Sequence, residues 1–554
     1  MSKGGLRTMR WGMIAPVAAL LCATPALAQT RGEVFDGAFR DAQMAGSGRT
    51  ALALSRGAAR LAAGDPALAA LIRSREDAAE ALAKLEGAEV AARTAATPDP
   101  ATIATATADA AKARAALAEA DATLAARSPG YVQLTGIAPA SVAEAQALLA
   151  PDEAIVLIHA TDRHSYVFAI TPTATDWARA DLGREVLATE VRALRAALDP
   201  SGAARSGEDA SAEIGAPQRS GFPRARAFAL YRQLWQPIAG IVGKARTVYT
   251  VSDGALGGLP LAVLPTRAPR GADGSARALR RTDWLVRRHA LVTLPSVGSL
   301  RALRAGEARR GGAPFAGFGD PALDGPPGAS APRSFAALAP IDAGADLATR
   351  IKAMPRLPGT RAELAALATT LGAAPDTFVT GAGATERAVA TRPMADVSVV
   401  AFATHGLLAG EIGPAAEPAL VLTPPATLTT SAADDGLLTA SEAAQLRLAA
   451  DWVILSACNT AAPDGSASGE GLSGLARGFF SAGARALLVS HWRVRDDVAQ
   501  ALTVGTLARW KRDPAAGRAA ALQAAMLAMI DDRAHPERAD PALWAPFVVA
   551  GEGR

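Results

Sequence analysis

At 554 residues the chain is too long for one ordinary domain of about 100–200 residues and has room for about three. Hydrophobic residues make up 50% and charged residues 20%, a globular composition that names no chemistry by itself. The 57 basic and 53 acidic residues leave a net charge of +4, and the arginines form no aromatic-studded basic stripe, so there is no nucleic-acid footprint.

The chain opens with Lys3, Arg7 and Arg10, an apolar run over 11–21, and Pro25-Ala26-Leu27-Ala28, the layout of a bacterial export signal with an A-x-A cleavage site. Residues 1–28 are read as a signal peptide cleaved before Gln29, which puts the mature protein in the periplasm or outside the cell. The run is shorter than the ~20 residues a bilayer span needs, so no stable membrane span is expected after cleavage. Leu21 before Cys22 is too bulky for a lipoprotein site. Cys22 leaves with the signal, and Cys458 is the one thiol of the mature chain. It can form no intrachain disulfide, and is either a buried inert residue or one kept for its reactivity.

From about 34 to 128 apolar residues recur at helical spacing in 51–63, 71–85 and 110–124, with turns at Gly64-Asp65-Pro66 and Thr97-Pro98-Asp99-Pro100. Residues 29–148 are therefore expected to be an α-helical, degenerate repeat-like region; the landmarks of a 34-residue helical repeat are absent. The pattern changes at Pro151. Runs 154–158 and 165–170 read as a β-hairpin, followed by a helix near 184–198, a strand at 247–251 and an apolar stretch at 256–264. Three Arg/Gly/Ser-rich stretches, 201–225, 265–282 and 301–312, are expected to be exposed loops.

From Phe315 onward strands and helices alternate, the pattern of a mainly parallel sheet flanked by helices. Strands are predicted at 315–318, 377–379, 397–403, 452–455 and 486–490, and helices at 360–371, 385–391, 441–448, 472–482 and 498–510. Thr439 and Glu442 are spaced for a capping box at the third of these helices.

Three of the strands each deliver a reactive residue just past the carboxyl end: His405, Cys458 and His491-Trp492. In an open parallel sheet those ends share the edge where ligands bind. A thiol is an efficient nucleophile as the thiolate, which a neighbouring imidazole favours before protonating the leaving amine. His405 precedes Cys458 by 53 residues (458 − 405), the order and approximate spacing of caspases and the reverse of papain-like enzymes. Gly406 allows close backbone approach, and its N–H with that of Cys458 could form an oxyanion hole. His491 is a rival base, and Asp451 or Asp464 could orient the base. Six scattered histidines and one mature cysteine give no metal-ligand spacing. No cofactor is called for, and Gly469-Glu470-Gly471 is not a phosphate loop because no Lys-Ser/Thr follows.

These motifs resemble the CHAT peptidases, caspase-like domains related to separase. The resemblance rests on Ala403-Thr404-His405-Gly406, Asp435-Gly436-Leu437-Leu438-Thr439-Ala440, Leu455-Ser456-Ala457-Cys458-Asn459-Thr460, and Gly469-Glu470-Gly471-Leu472 running into Phe479-Phe480-Ser481-Ala482-Gly483-Ala484. Weaker matches are Leu357-Pro358-Gly359-Thr360-Arg361-Ala362-Glu363 and Ser252-Asp253-Gly254-Ala255-Leu256. The resemblance implies a catalytic domain over 311–554, a catalytically silent caspase-like half over 149–310, and N-terminal helices on which a regulatory protein docks. It also implies a protein or peptide substrate. Cys458 is followed by Asn459-Thr460 where caspases carry Arg, Gln or Gly and then Gly, so cleavage after Asp does not carry over. The segment at Trp492, Arg493 and Asp497 is expected to wall the specificity pocket; it offers both Arg493 and Asp497, so the sign of the pocket is open, with Asp497 favouring a basic or long unbranched residue. The reading is a cysteine endopeptidase working through a Cys–His dyad and an acyl-enzyme. Its alternatives are an inactive scaffold on the same fold, or a hydrolase or acyltransferase acting on a non-peptide acyl group.

Overall fold

The computed structural model describes residues 31–45, parts of 71–88, 99–127, 139–199, 221–305, 312–325, 347–408, 417–425, 434–457, 474–492 and 494–554. The export segment, the helix expected at 51–63, Cys458, Arg493, Asp464 and 469–471 lie outside the described residues.

Its centre is a sheet of 11 strands among those residues. The first five are β1 (Glu153–Ala160), β2 (Ser165–Ile170), β3 (Thr175–Ala180), β4 (Thr247–Ser252) and β5 (Ala290–Thr293). The rest are β6 (Phe315–Pro321), β7 (Phe378–Gly381), β8 (Val399–Ala403), β12 (Trp452–Ser456), β13 (Ala486–Ser490) and β14 (Phe547–Gly551). Three short strands, β9 (Gly406–Leu407), β10 (Ala419–Val421) and β11 (Leu437–Thr439), form a small second sheet. The large sheet runs β3-β2-β1-β4-β5-β14-β13-β12-β8-β6-β7. Only the β1-β2-β3 meander and the β13–β14 pair are antiparallel.

The strands β8, β12 and β13 are buried along their whole length, because parallel strands covered on both faces read as unbroken apolar runs. Phe402 stacks on Phe318 of the neighbouring β6 at 5.4 Å and meets Phe479 at 5.2 Å, tying sheet to helix. The final strand β14 joins the two halves: it pairs antiparallel with β13 and parallel with β5 through Val549–Val292 and Ala550–Thr293. One hydrophobic core consequently runs through both.

The predicted elements from Phe315 onward fall on the observed ones with end shifts of up to three residues. Helices run over Pro358–Leu371, Glu386–Thr391, Ala440–Gln445, Gly474–Ala482 and Asp496–Arg512. Both halves of the Thr439–Glu442 capping box form. The expected exposed loops need correction. Part of 201–225 begins the helix Arg224–Leu234, and Phe222 and Arg224 are buried; Arg224 is held by Asp273 at 2.7 Å and by the carbonyl of Gly271. Likewise Leu279, Ala302 and Leu303 are core residues. Parts of all three stretches are helical, over Arg224–Leu234, Ala276–Arg280 and Val297–Ala305, because their apolar residues pack inward while the arginine side chains find partners. At the other end, the helix Arg31–Ala45 docks on β2 through Phe35 and Phe39, both against Phe168, and Gln43 exchanges two hydrogen bonds with Ala140.

Candidate active site

The pairing of β8 with β12 sets Ala403 opposite Ser456 in parallel register. The separation of that pair (456 − 403) is the separation of His405 and Cys458, so each residue follows its strand by the same two positions. On the other side of β12, Leu455 faces Val489.

His405 is fully buried, and its Nε2 lies 2.7 Å from the carbonyl oxygen of Pro355. A carbonyl can only accept, so Nε2 carries a proton, which in the neutral tautomer leaves the lone pair on Nδ1. The small sheet fixes the chain around the imidazole. Val421 N–H donates to the carbonyl of His405, the Thr404 hydroxyl donates to the carbonyl of Val421, and Gly406 is the register partner of Leu420. This explains the Asp435-Gly436-Leu437 motif. Asp435 accepts from Leu437 N–H, and Gly436 sits at φ +91°, where a Cβ would come within 2.8 Å of Pro424.

The chain entering Cys458 is pinned from two directions. The Ser490 hydroxyl at the end of β13 donates to the carbonyl of Ala457, and the Ser456 hydroxyl donates to the buried Glu363 at 3.0 Å. Glu363 also accepts from Thr503 at 2.8 Å, so one carboxylate joins β12 to two helices. Next to β8, Asp320, the second-last residue of β6, has a positive φ of 42° and is buried under Arg361 (3.1 Å) and Arg356 (3.6 Å). Arg356 directly follows the Pro355 that holds His405.

The remaining expected residues are distributed as follows. His491 is buried; burial, and then the charge of Arg195, depress its pKa to about 3, so it stays neutral and is a poor proton acceptor. Its Nδ1 has no hydrogen-bond partner among the described residues. Trp492 lies 1% exposed with its indole donating to the carbonyl of Ala542, beneath the strand end and not on an open wall. Asp497 is half exposed on the first turn of the helix Asp496–Arg512 and makes a two-pronged pair with Arg495, at 3.0 and 2.9 Å. Asp451 cannot orient the base: it precedes β12, roughly 17 Å from the carboxyl end at the usual rise per residue, and is bound by Arg518 at 3.0 Å. Among the described residues the group that bonds the His405 ring is the backbone carbonyl of Pro355, which no side-chain motif could reveal.

In the first half the parallel pair β1–β4 ends on a different couple. Ile158 faces Ser252, and just beyond them His159 Nδ1 lies 2.6 Å from Asp253, whose other oxygen accepts from Ala160 N–H. The Ser252-Asp253-Gly254 motif thus closes a strand end with a carboxylate, which lacks the nucleophilicity of a thiolate.

Among the described residues, no helix is long and apolar enough to cross a membrane, and no three or more His, Cys, Asp or Glu side chains are grouped to hold a metal ion.

A mainly parallel sheet between helices, with a histidine two residues past the end of an interior strand, defines an α/β protein. The CHAT domain matches residues 224–552, from the helix Arg224–Leu234 through β14, and the chain belongs to that family. No curated protein matches it. Among solved structures it is similar to the separase–securin complex of Saccharomyces cerevisiae at 9% identity and a TM-score of 0.39, over 83% of this chain and 34% of that one. It is also similar to the Arg-specific cysteine proteinase gingipain R at 11% identity and a TM-score of 0.34, over 60% of this chain and 68% of that one. The chain thus spans about a third of the length of the separase chain.

Proposed function

We propose that this protein is a cysteine endopeptidase in which Cys458 attacks the scissile carbonyl and His405 moves the proton. What carries the reading is the matched offset from the paired strands β8 and β12, together with a ring whose Nε2–H is committed to Pro355. With Nδ1 as the basic nitrogen, His405 takes the thiol proton. The thiolate adds to the carbonyl carbon, and the oxyanion is held by the N–H groups of Gly406 and Cys458. Collapse of the adduct breaks the C–N bond as the imidazolium protonates the leaving amine. Water, deprotonated by the same imidazole, then hydrolyses the thioester and restores the thiol.

The substrate is proposed to be a protein or peptide, bound along the segment of Arg493 and Asp497 that follows the buried Trp492, with Asp497 favouring a basic residue before the scissile bond. The first half is proposed to be catalytically silent, consistent with its His159–Asp253 strand end. The same proposal includes export through 1–28, with the mature terminus at Gln29, and regulation through the N-terminal helices. The test is labelling by a library of electrophilic peptides, read by mass spectrometry. A peptide adduct on Cys458 that vanishes in Cys458→Ala supports the reading; equal labelling of the two proteins, with no peptide hydrolysed, refutes it.

A further inference from the structure

The helix Arg184–Leu198 belongs to the first half, yet Arg195 in its last turn reaches the second. Its Nη1 donates to the carbonyl of Gly258, in the turn that follows β4, and its Nη2 donates to the carbonyl of His491 at 2.9 Å. His491 is the first residue past β13, and its own N–H donates to the carbonyl of Pro546 at 2.8 Å, just before β14. One guanidinium therefore ties a helix and a loop of the first half to the strand end from which the candidate specificity segment departs.

The consequence lies in what neighbours that carbonyl. Ser490, one residue earlier, donates to the carbonyl of Ala457, the residue before Cys458; three residues beyond Trp492, Arg495 begins the turn that carries Asp497. The His491 turn thus stands between the approach to the nucleophile and the segment read as the pocket wall. Beside it is a cavity of about 40 Å³ between the halves, lined by Thr250, Ser252, His491, Gln523 and Phe547. This space gives the turn room to shift once its carbonyl is released, which a close-packed setting would resist.

We infer that Arg195 is a positioning residue through which the first half holds the His491 turn, and with it the geometry of the peptidase site. The inference deepens the peptidase reading and rests on it. A guanidinium with two parallel donors suits two carbonyls from different halves; a lysine ammonium reaches one of them with less directional control.

The experiment compares the full-length protein with Arg195→Met and Arg195→Lys, measuring kcat and KM on a cleaved peptide, alkylation of Cys458 by iodoacetamide, and amide hydrogen exchange across 491–498. The expected result is a loss of about 10²-fold in kcat/KM for Arg195→Met, the scale of a displaced reacting group. It should come with faster exchange in 491–498 and partial recovery in Arg195→Lys. Wild-type kcat and KM in a folded Arg195→Met protein would overturn the inference. If Arg195→Met fails to fold, Arg195→Lys decides: slowed hydrolysis at an unchanged melting temperature supports the role, and unchanged hydrolysis removes it. Should the wild type cleave no peptide, the peptidase reading fails separately, and the inference is judged by whether Arg195→Met alters the Cys458 alkylation rate and the 491–498 exchange.

Discussion

His405 presents its Nε2 to the carbonyl oxygen of Pro355 at 2.7 Å, a contact between residues fifty positions apart that fixes which ring nitrogen is basic. The expected kinetics follow. Cys458→Ala removes the nucleophile and should leave no measurable peptide hydrolysis. His405→Ala should lose about 10²–10⁴-fold, the usual worth of a general acid–base group. The double variant should be no worse than Cys458→Ala, since residues that act as a unit are non-additive. Initial rates on one fluorogenic peptide check all three; full activity in His405→Ala with loss in His491→Ala would transfer the role of base.

Asp497 and Arg495 neutralise each other across two hydrogen bonds, both about half exposed, so the pair adds little stability and a basic substrate group must compete with Arg495 for the carboxylate. Arg495→Ala should raise cleavage after Arg relative to Asp by roughly tenfold, the worth of one charge-assisted hydrogen bond, and Asp497→Ala should lower it by a similar factor. Matched peptides differing only before the scissile bond give the ratio. A wild-type preference for Asp, or an unmoved ratio in Asp497→Ala, points to Arg493 instead.

Glu386 sits beside Glu442 and Asp435 and accepts from the Asp435 N–H at the entry to β11. Burial first, and then those two carboxylates, raise its pKa from an ordinary 4.5 to about 8. Between these values the folded protein keeps a proton that the unfolded chain has released, so raising the pH favours unfolding. Urea stability should accordingly fall from about pH 4.5 to about pH 8, and Glu386→Gln should flatten the decline. Identical pH profiles for the two proteins would count against the assignment.

Arg304 donates to Glu153 at 2.8 Å, to Glu552 at 3.1 Å and to the Tyr249 hydroxyl at 2.9 Å, joining the end of the chain to β1 and β4. Both carboxylates are almost wholly buried. Arg304→Met should cost about 3 kcal/mol, the low end for a broken buried pair, because Glu552 loses its cation while Glu153 keeps Arg554 at 2.7 Å. Denaturant unfolding measures this, and a change below about 1 kcal/mol, the scale of an exposed pair, would show that water already reaches the cluster.

What the sequence determined by itself was whatever short-range pattern encodes. The apolar runs of β8, β12 and β13 could be read because buried parallel strands carry side chains of one kind on both faces, and the Thr439–Glu442 cap because it closes within four residues. The order and separation of His405 and Cys458 were legible for the same reason, since register converts a difference in numbering into a position at a shared edge. Tertiary structure alone decided that β14 would enter between β5 and β13, that Pro355 would orient His405, and that Arg195 would bond to His491 from the other half. Each of these joins groups about 50 to 300 positions apart through a backbone carbonyl or an edge pairing. Every residue presents the same carbonyl, so local sequence does not mark which one will be used; closure of the sheet selects it.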